Sequence, residues 1–366
     1  MKMLWRAIFI YSIIFNYCYA NEVFLPKTTG LYSVGTKTIE LVDNSRTMLR
    51  DNSSRKLIGQ IFYPSTQHKG KYYYMPETIK DGMIQDTKVF SYAKPNVNIL
   101  ESHKYPLIIF IPGLGAIRQK YTILCEELAS HGYIILSLDQ PYVGSFVKFT
   151  NGEIIVPTLK DIWKVRKDRE YRYQYYDEAM SEAIKDVKYI LNNIKKINDN
   201  DFNGVCDIEN IILMGHSFGG NVAHTLGFKD QRIKAIVDID SKITERKVFG
   251  RIGVPPNKHG KPALFIRGAM QYQEDVGNQL TEIKNSTVWD PMVEHSAFSD
   301  KAYFAANIPD FGNKGIIRQF FNWLFKIEPY WDKVDTNIGD INIDNWYMQY
   351  RQYILLWLND MNHMHK

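Results

Sequence analysis

Gly215-His216-Ser217-Phe218-Gly219-Gly220, preceded by the apolar run Ile211-Ile212-Leu213-Met214, is the stretch on which the reading of this chain turns. A serine with glycine two residues away on either side is the pattern of a nucleophile elbow. That strand-to-helix turn is so tight that side chains at Gly215 and Gly219 would collide with neighbouring backbone, while the serine stands exposed in a strained conformation. The same five-residue pattern also fits an ordinary turn, so the surrounding elements decide its meaning.

Those elements alternate. Leu107 to Ile111 is a continuous apolar run, Lys120 to His131 has helical spacing, and Tyr133 to Leu138 is apolar again. A long helix is predicted from about Arg169 to Ile197, then the elbow strand, a helix to Phe228, strands at Ile233 to Ile239 and Ala263 to Ile266, and a short strand at Thr287 to Trp289. Apolar strands separated by helices make a parallel sheet buried on both faces. Ser33 to Val42 and Lys56 to Tyr63 have strand character and read as an opening antiparallel pair, closed by Pro64. His68 to Lys104 is polar, tyrosine-rich and aperiodic, the profile of a surface excursion. The prediction is an α/β fold, a mostly parallel doubly wound sheet flanked by helices. No shift of composition marks a boundary, so residues 21–366 read as one domain.

With 366 residues, 45% apolar and 14% aromatic, the chain can fill a substantial core. Its first twenty residues differ. Lys2 and Arg6 precede an apolar run from Ala7 to Phe15, and Cys18-Tyr19-Ala20 ends on a small residue, as in a secretory signal cleaved after Ala20. The run is shorter than the ~20 residues a bilayer span needs. A secreted or periplasmic protein is expected. Because residues 1–20 hold two cations and no acid, their removal takes the formal charge from +5 to +3, too weak a bias for a nucleic-acid partner. Cys125 and Cys206 remain, too few for a disulfide framework; Cys125 lies in a helical apolar pattern, and a bridge between the two is not favoured. No histidine and cysteine cluster has structural zinc spacing, so neither metal nor cofactor is expected. Asn52-Ser53-Ser54 and Asn285-Ser286-Thr287 are glycosylation acceptors only in a eukaryotic secretory route.

A serine hydroxyl is a poor nucleophile at neutral pH, so Ser217 needs a base and an acid to orient it. On an elbow fold the order is serine, acid, histidine. Downstream of the elbow and its next strand stand His259 on a Pro-rich connection, His363 and His365 near the end of the sequence, and His295 in a loop after the last strand, which fits best. Asp238 and Asp240 end the strand from Ile233, at the carboxyl edge where such sites assemble. Asp240, at the exit, is favoured over Asp238 within the strand. Asp139 also ends a strand and could serve in a variant arrangement, although ordering a loop suits it better. His216 is expected to point away from the site and pack beside the elbow. Acyl transfer also needs donors for the oxyanion, here the amides of Phe218 and of Leu114 in Pro112-Gly113-Leu114-Gly115.

These residues resemble a known group, the platelet-activating factor acetylhydrolases of the plasma type with their bacterial relatives among the α/β-hydrolases. Val34-Gly35-Thr36-Lys37-Thr38 through Asp43, Gln60-Ile61-Phe62-Tyr63-Pro64, Pro112 to Ala116, Leu128 to Tyr133, Gly215 to Gly220 and His295 to Asp300 are similar to family blocks, in order. The resemblance implies the triad Ser217, Asp240 and His295. It also implies calcium-independent hydrolysis of short or oxidised sn-2 acyl groups of phospholipids, or of simpler short esters. Pro112 stands where the family usually has histidine, Ser241 where relatives often have glycine or alanine, and Tyr72 to Met75 and Leu159 to Tyr176 match no block.

Two helical patterns close the sequence, Lys314 to Ile327 and about Asp344 to Met361. The first leaves only a narrow polar stripe at Arg318, Gln319, Asn322 and Lys326. Such a surface needs a partner: either the sheet, or a lipid surface or acyl pocket that it faces. The function expected is a secreted serine esterase. A peptidase or polyester hydrolase on the same triad, and a non-catalytic binding protein on a hydrolase fold, are the alternatives.

Overall fold

The computed structural model describes residues 22–66, 70, 72–74, 88–242, 254–269, 274–307 and 342–364. Nine strands form its main sheet. In chain order they are β1 (Ser33–Thr47), β2 (Ser54–Ser65), β3 (Lys94–Pro95), β4 (Tyr105–Ile111), β5 (Ile134–Leu138), β6 (Cys206–His216), β7 (Ile233–Ile239), β8 (Ala263–Ile266) and β9 (Ser286–Trp289). Across the sheet they run β9-β8-β7-β6-β4-β5-β2-β1-β3. From β9 to β5 every pair is parallel. β2 is antiparallel to both β5 and β1.

Continuous apolar strands arise because both faces are covered. Successive side chains alternate: Leu107, Ile109, Ile111, Ile211 and Leu213 enter one core, and Ile108, Phe110, Ile212 and Met214 enter the other. The first core is closed by helices α3 (Arg169–Asn192) and α5 (Phe218–Gly227), the second by α1 (Thr122–Ser130) and α8 (Ile343–Met364). The remaining helices are α2 (Leu159–Lys167), α4 (Ile194–Asp201), α6 (Glu274–Thr281) and α7 (Asp300–Asn307). Cys125 and Cys206 are free, buried, and in opposite cores, so the sheet separates them.

The single helix expected from Arg169 to Ile197 is two. Asn193 interrupts it, its side-chain amide donating to the Tyr189 carbonyl at 2.8 Å, a local bond that competes with the helix ladder. Helix α2 matches no expectation, although its start was written in the sequence: the Thr158 hydroxyl accepts the Asp161 amide at 3.1 Å, just after Pro157. The described part of the tyrosine-rich excursion is also more structured than expected. Lys88–Ser91 pairs with Glu22–Phe24 and Tyr72–Tyr74 in a second, small sheet, and buries Val89. Residues 1–20 and the Lys314 to Ile327 pattern lie outside the described residues. Among the described residues no helix is long and apolar enough to cross a membrane.

Candidate active site

Parallel register brings the strand ends to one edge. Gly215 pairs with Ile111 and with Asp238, His216 with Ile239, Ile239 with Ile266, and Ile266 with Trp289. One residue further stand Ser217, Asp240 and Arg267, each still tied to the next strand. Their amides donate to Ile239 (2.7 Å), Ile266 (2.6 Å) and Trp289 (2.9 Å) carbonyls respectively.

Ser217 has φ 54°, the left-handed region, which costs a non-glycine residue about 1–3 kcal/mol. It is half-exposed, whereas every other residue from Ile211 to Phe228 is buried. The elbow glycines are required sterically. A Cβ at Gly215 would lie 2.3 Å from the Gly219 backbone, and one at Gly219 would lie 1.8 Å from the Ile111 carbonyl oxygen. Gly220, not singled out from the sequence, is equally constrained: its Cβ would meet Asp238 Oδ1 at 2.3 Å.

Asp240 is fully buried, and Gly268 donates its amide to Oδ1 at 2.6 Å. Oδ2 bonds His295 Nδ1. The proton therefore sits on Nδ1 between ring and carboxylate, and Nε2 is left as the basic nitrogen. Asp238, the less favoured neighbour, has a different task. It takes His224 Nδ1 (2.6 Å), the Ser241 hydroxyl (2.6 Å) and the Ser241 amide (3.2 Å), which fastens the exit of β7 to α5. Asp240 itself has φ 51°, so this bracing holds a strained turn. Asp139 does not approach His295. It bonds the Arg118 guanidinium, accepts the Arg118 amide at 2.6 Å, and so orders the loop that follows the glycines.

His216 departs from expectation. Instead of pointing away, its buried ring lies 4.5 Å from that of His295, centroid to centroid, with 33° between the planes. Burial, reinforced by the neighbouring His295 charge, holds it well below the ordinary histidine range. Its Nδ1 meets the Tyr121 hydroxyl at 2.9 Å. Nothing in the spacing could have placed that ring, because the direction of the side chain depends on the turn at Ser217. His216, Asp240 and His295 have ligand-type atoms within 4.8 Å of one another, yet the bonds to Tyr121, Gly268 and each other already organise them.

The glycine loop is tied on both sides of Leu114. The Gly113 amide donates to Tyr121 Oη at 3.1 Å, and the Gly115 amide to the Val143 carbonyl at 3.0 Å. The Phe218 amide opens α5, whose positive end faces the site. The Phe218 ring is buried edge-on against Tyr176.

The His295 loop is held from below by α8. Trp346 Nε1 donates to the Ala297 carbonyl at 2.9 Å and Tyr347 Oη to the Ser299 carbonyl at 2.5 Å. Asp300 adds a link to α1, accepting the Thr122 amide at 2.6 Å. The sequence showed α8 as a helix but gave no sign of what it supports.

A family model described as platelet-activating factor acetylhydrolase, isoform II, matches residues 17–330. The chain belongs to that family. Among curated relatives, a probable 1-alkyl-2-acetylglycerophosphocholine esterase of Arthroderma benhamiae is 22% identical over 74% of this chain and 70% of its own. The platelet-activating factor acetylhydrolase of Bos taurus is 28% identical over 58% of this chain and 52% of its own. The chain thus spans little more than half the length of that relative. A ferulic acid esterase from Streptomyces cinnamoneus has the same α/β-hydrolase fold, with TM-score 0.67 and 22% identity over 93% of each chain. Within this acetylhydrolase family frame, two of the departures noted in the sequence have structural accounts. Ser241 supplies a hydroxyl to Asp238, and the loop behind Pro112 is anchored through the Gly113 amide on Tyr121.

Proposed function

We propose that this acetylhydrolase-family chain is an exported serine carboxylic-ester hydrolase. The single observation that carries the reading is the bond from His295 Nδ1 to the buried Asp240, at the same sheet edge as a partly exposed Ser217 in an elbow conformation. His295 Nε2 takes the hydroxyl proton as Ser217 Oγ attacks the ester carbonyl. The oxyanion is held by the Leu114 and Phe218 amides. The ester C–O bond then breaks, His295 returns the proton to the departing alcohol, and water, activated by the same nitrogen, releases the acid from Ser217. Asp240 keeps the imidazole in the required tautomer and stabilises the imidazolium.

The substrates proposed are phospholipids with a short or oxidised sn-2 acyl group, and other short-chain esters. Support comes from the names of the curated relatives. Contact with a lipid surface is part of the proposal. The helix first considered for that contact lies outside the described residues, but another surface suits it. Ile154, Val156, Leu159 and Trp163 are all more than half exposed, and Leu159 and Trp163 share a face of α2 with Lys160 and Lys167. The acid within this helix, Asp161, is buried on Arg50 (2.8 Å) and does not offset those lysines. Apolar and cationic side chains interleaved in this way fit an anionic bilayer surface.

The test is hydrolysis of p-nitrophenyl acetate by the protein lacking residues 1–20. Turnover is expected in wild type and none above background in Ser217→Ala. Substantial activity in the variant removes Ser217 from its role. A panel of phosphatidylcholines of graded sn-2 length, with peptide and polyester substrates beside them, then reads the substrate class.

A further inference from the structure

We infer that His216 is a positioning residue that couples the oxyanion loop to the base. One buried strut runs from the Gly113 amide through the Tyr121 hydroxyl and the His216 imidazole to the face of His295. The inference rests on the triad reading given above and assigns residues to the same site.

One bond direction follows from the chemistry: Gly113 N–H can only donate, so Tyr121 Oη accepts it, and the same oxygen, which keeps a second lone pair and its proton, bonds His216 Nδ1. Burial pushes the Tyr121 phenol up and the His216 imidazole down, so both stay neutral. At one end, Gly113 directly precedes Leu114. With the Gly113 amide on Tyr121 and the Gly115 amide on Val143, the peptide between them has little freedom to rotate. Little room is left between Gly113 and the nucleophile: a Cβ added there would lie 3.4 Å from Ser217 Cβ and 3.3 Å from His216 Nδ1. At the other end, the bond to Asp240 alone would let the His295 ring swing about Nδ1. The His216 ring at 4.5 Å, backed by Phe298 at 6.0 Å, closes one side of that swing. Neutrality of His216 matters because His295 becomes a cation during the reaction, and a second buried cation at this distance would oppose it.

Packing does not explain the hydroxyl. The Tyr121 ring packs tilted against Phe110 with centroids 4.7 Å apart, which phenylalanine would do equally well. Hence Tyr121→Phe isolates the strut.

The experiment compares Tyr121→Phe, His216→Ala, His216→Gln and Ser217→Ala on p-nitrophenyl acetate, with thermal melts to confirm folding. Tyr121→Phe is expected to lose about tenfold or more in kcat, less than the full 10²–10³ of a deleted oxyanion donor, with KM within about twofold. His216→Gln keeps an amide that can bond the Tyr121 hydroxyl in either direction and is expected to retain clearly more kcat than His216→Ala. A Tyr121→Phe protein with kcat within about twofold of wild type, a loss confined to KM, or a glutamine no better than alanine overturns the strut. If His216→Ala does not fold, Tyr121→Phe against wild type decides alone. Failure of the triad reading looks different, because Ser217→Ala would then be active; failure of the strut leaves Ser217→Ala inert and Tyr121→Phe intact.

Discussion

One methyl group added at Gly219 would sit 1.8 Å from the Ile111 carbonyl oxygen, a contact that backbone on both sides prevents from relaxing. Gly219→Ala is therefore expected to cost about 3 kcal/mol or more, at or beyond the upper end of overpacking, and to read as a large drop in urea midpoint. Glu126 gives a residue-scale prediction with a pH signature. Burial pushes its carboxyl from 4.5 up to about 7, with the Arg351 charge pulling the other way. A folded-state value above the unfolded one means stability that is whole below the unfolded value and is lost as pH rises to the folded one. Glu126→Gln has no proton to release. Its stability relative to wild type is expected to rise between about pH 5 and pH 8 by roughly 2–3 kcal/mol, seen as diverging melting temperatures. Individual residues were legible where chemistry limits the choices. The proposed triad of Ser217, Asp240 and His295 was drawn from a glycine pattern, a strand exit and chain order, and the structure bonds Asp240 to His295. His216 was misplaced and Gly220 passed over because both depend on approach distances across the turn, which spacing does not encode.

Elements were legible where apolar runs were long. β4 through β8 sit close to the runs that announced them, since strands covered on both faces need apolar residues at every position. Boundaries set by one polar side chain were not, as Asn193 and Thr158 show. Helix α8 is the element with most consequence for the site. Arg351 pairs with the buried Glu127 at 2.9 Å, and the two side chains are 6% and 1% exposed. Arg351→Ala is expected to cost toward the lower end of about 3–5 kcal/mol, because Thr29 and His131 still contact Glu127 after the guanidinium is gone. Trp346→Phe keeps the stacking on Tyr350 but leaves the Ala297 carbonyl without its donor. A loss of about 1–3 kcal/mol is expected, with a fall in kcat beyond what the unfolded fraction explains.

At the scale of the whole molecule, parallel register sets the strand ends at one edge, and every group of the proposed site stands on that edge or in a loop leaving it. The exposed face around Leu159 and Trp163 gives the prediction that belongs here. Leu159→Ala with Trp163→Ala is expected to reduce co-sedimentation with vesicles containing phosphatidylglycerol while leaving p-nitrophenyl acetate turnover within about twofold. Unchanged sedimentation, or a shift from dimer to monomer in the ultracentrifuge, would assign the face to something other than lipid. The placement of α8 has a consequence in the time order of synthesis. Ser217, Asp240 and His295 have all left the ribosome before Trp346 and Tyr347 are made, and those two side chains hold the carbonyls of the loop that carries His295. A nascent chain, or one clipped before residue 343, owns the three residues proposed for the reaction and still lacks the brace that holds the proposed base. Inactivity in such a fragment would trace to an unfinished scaffold, with the proposed chemistry already encoded and silent until α8 docks.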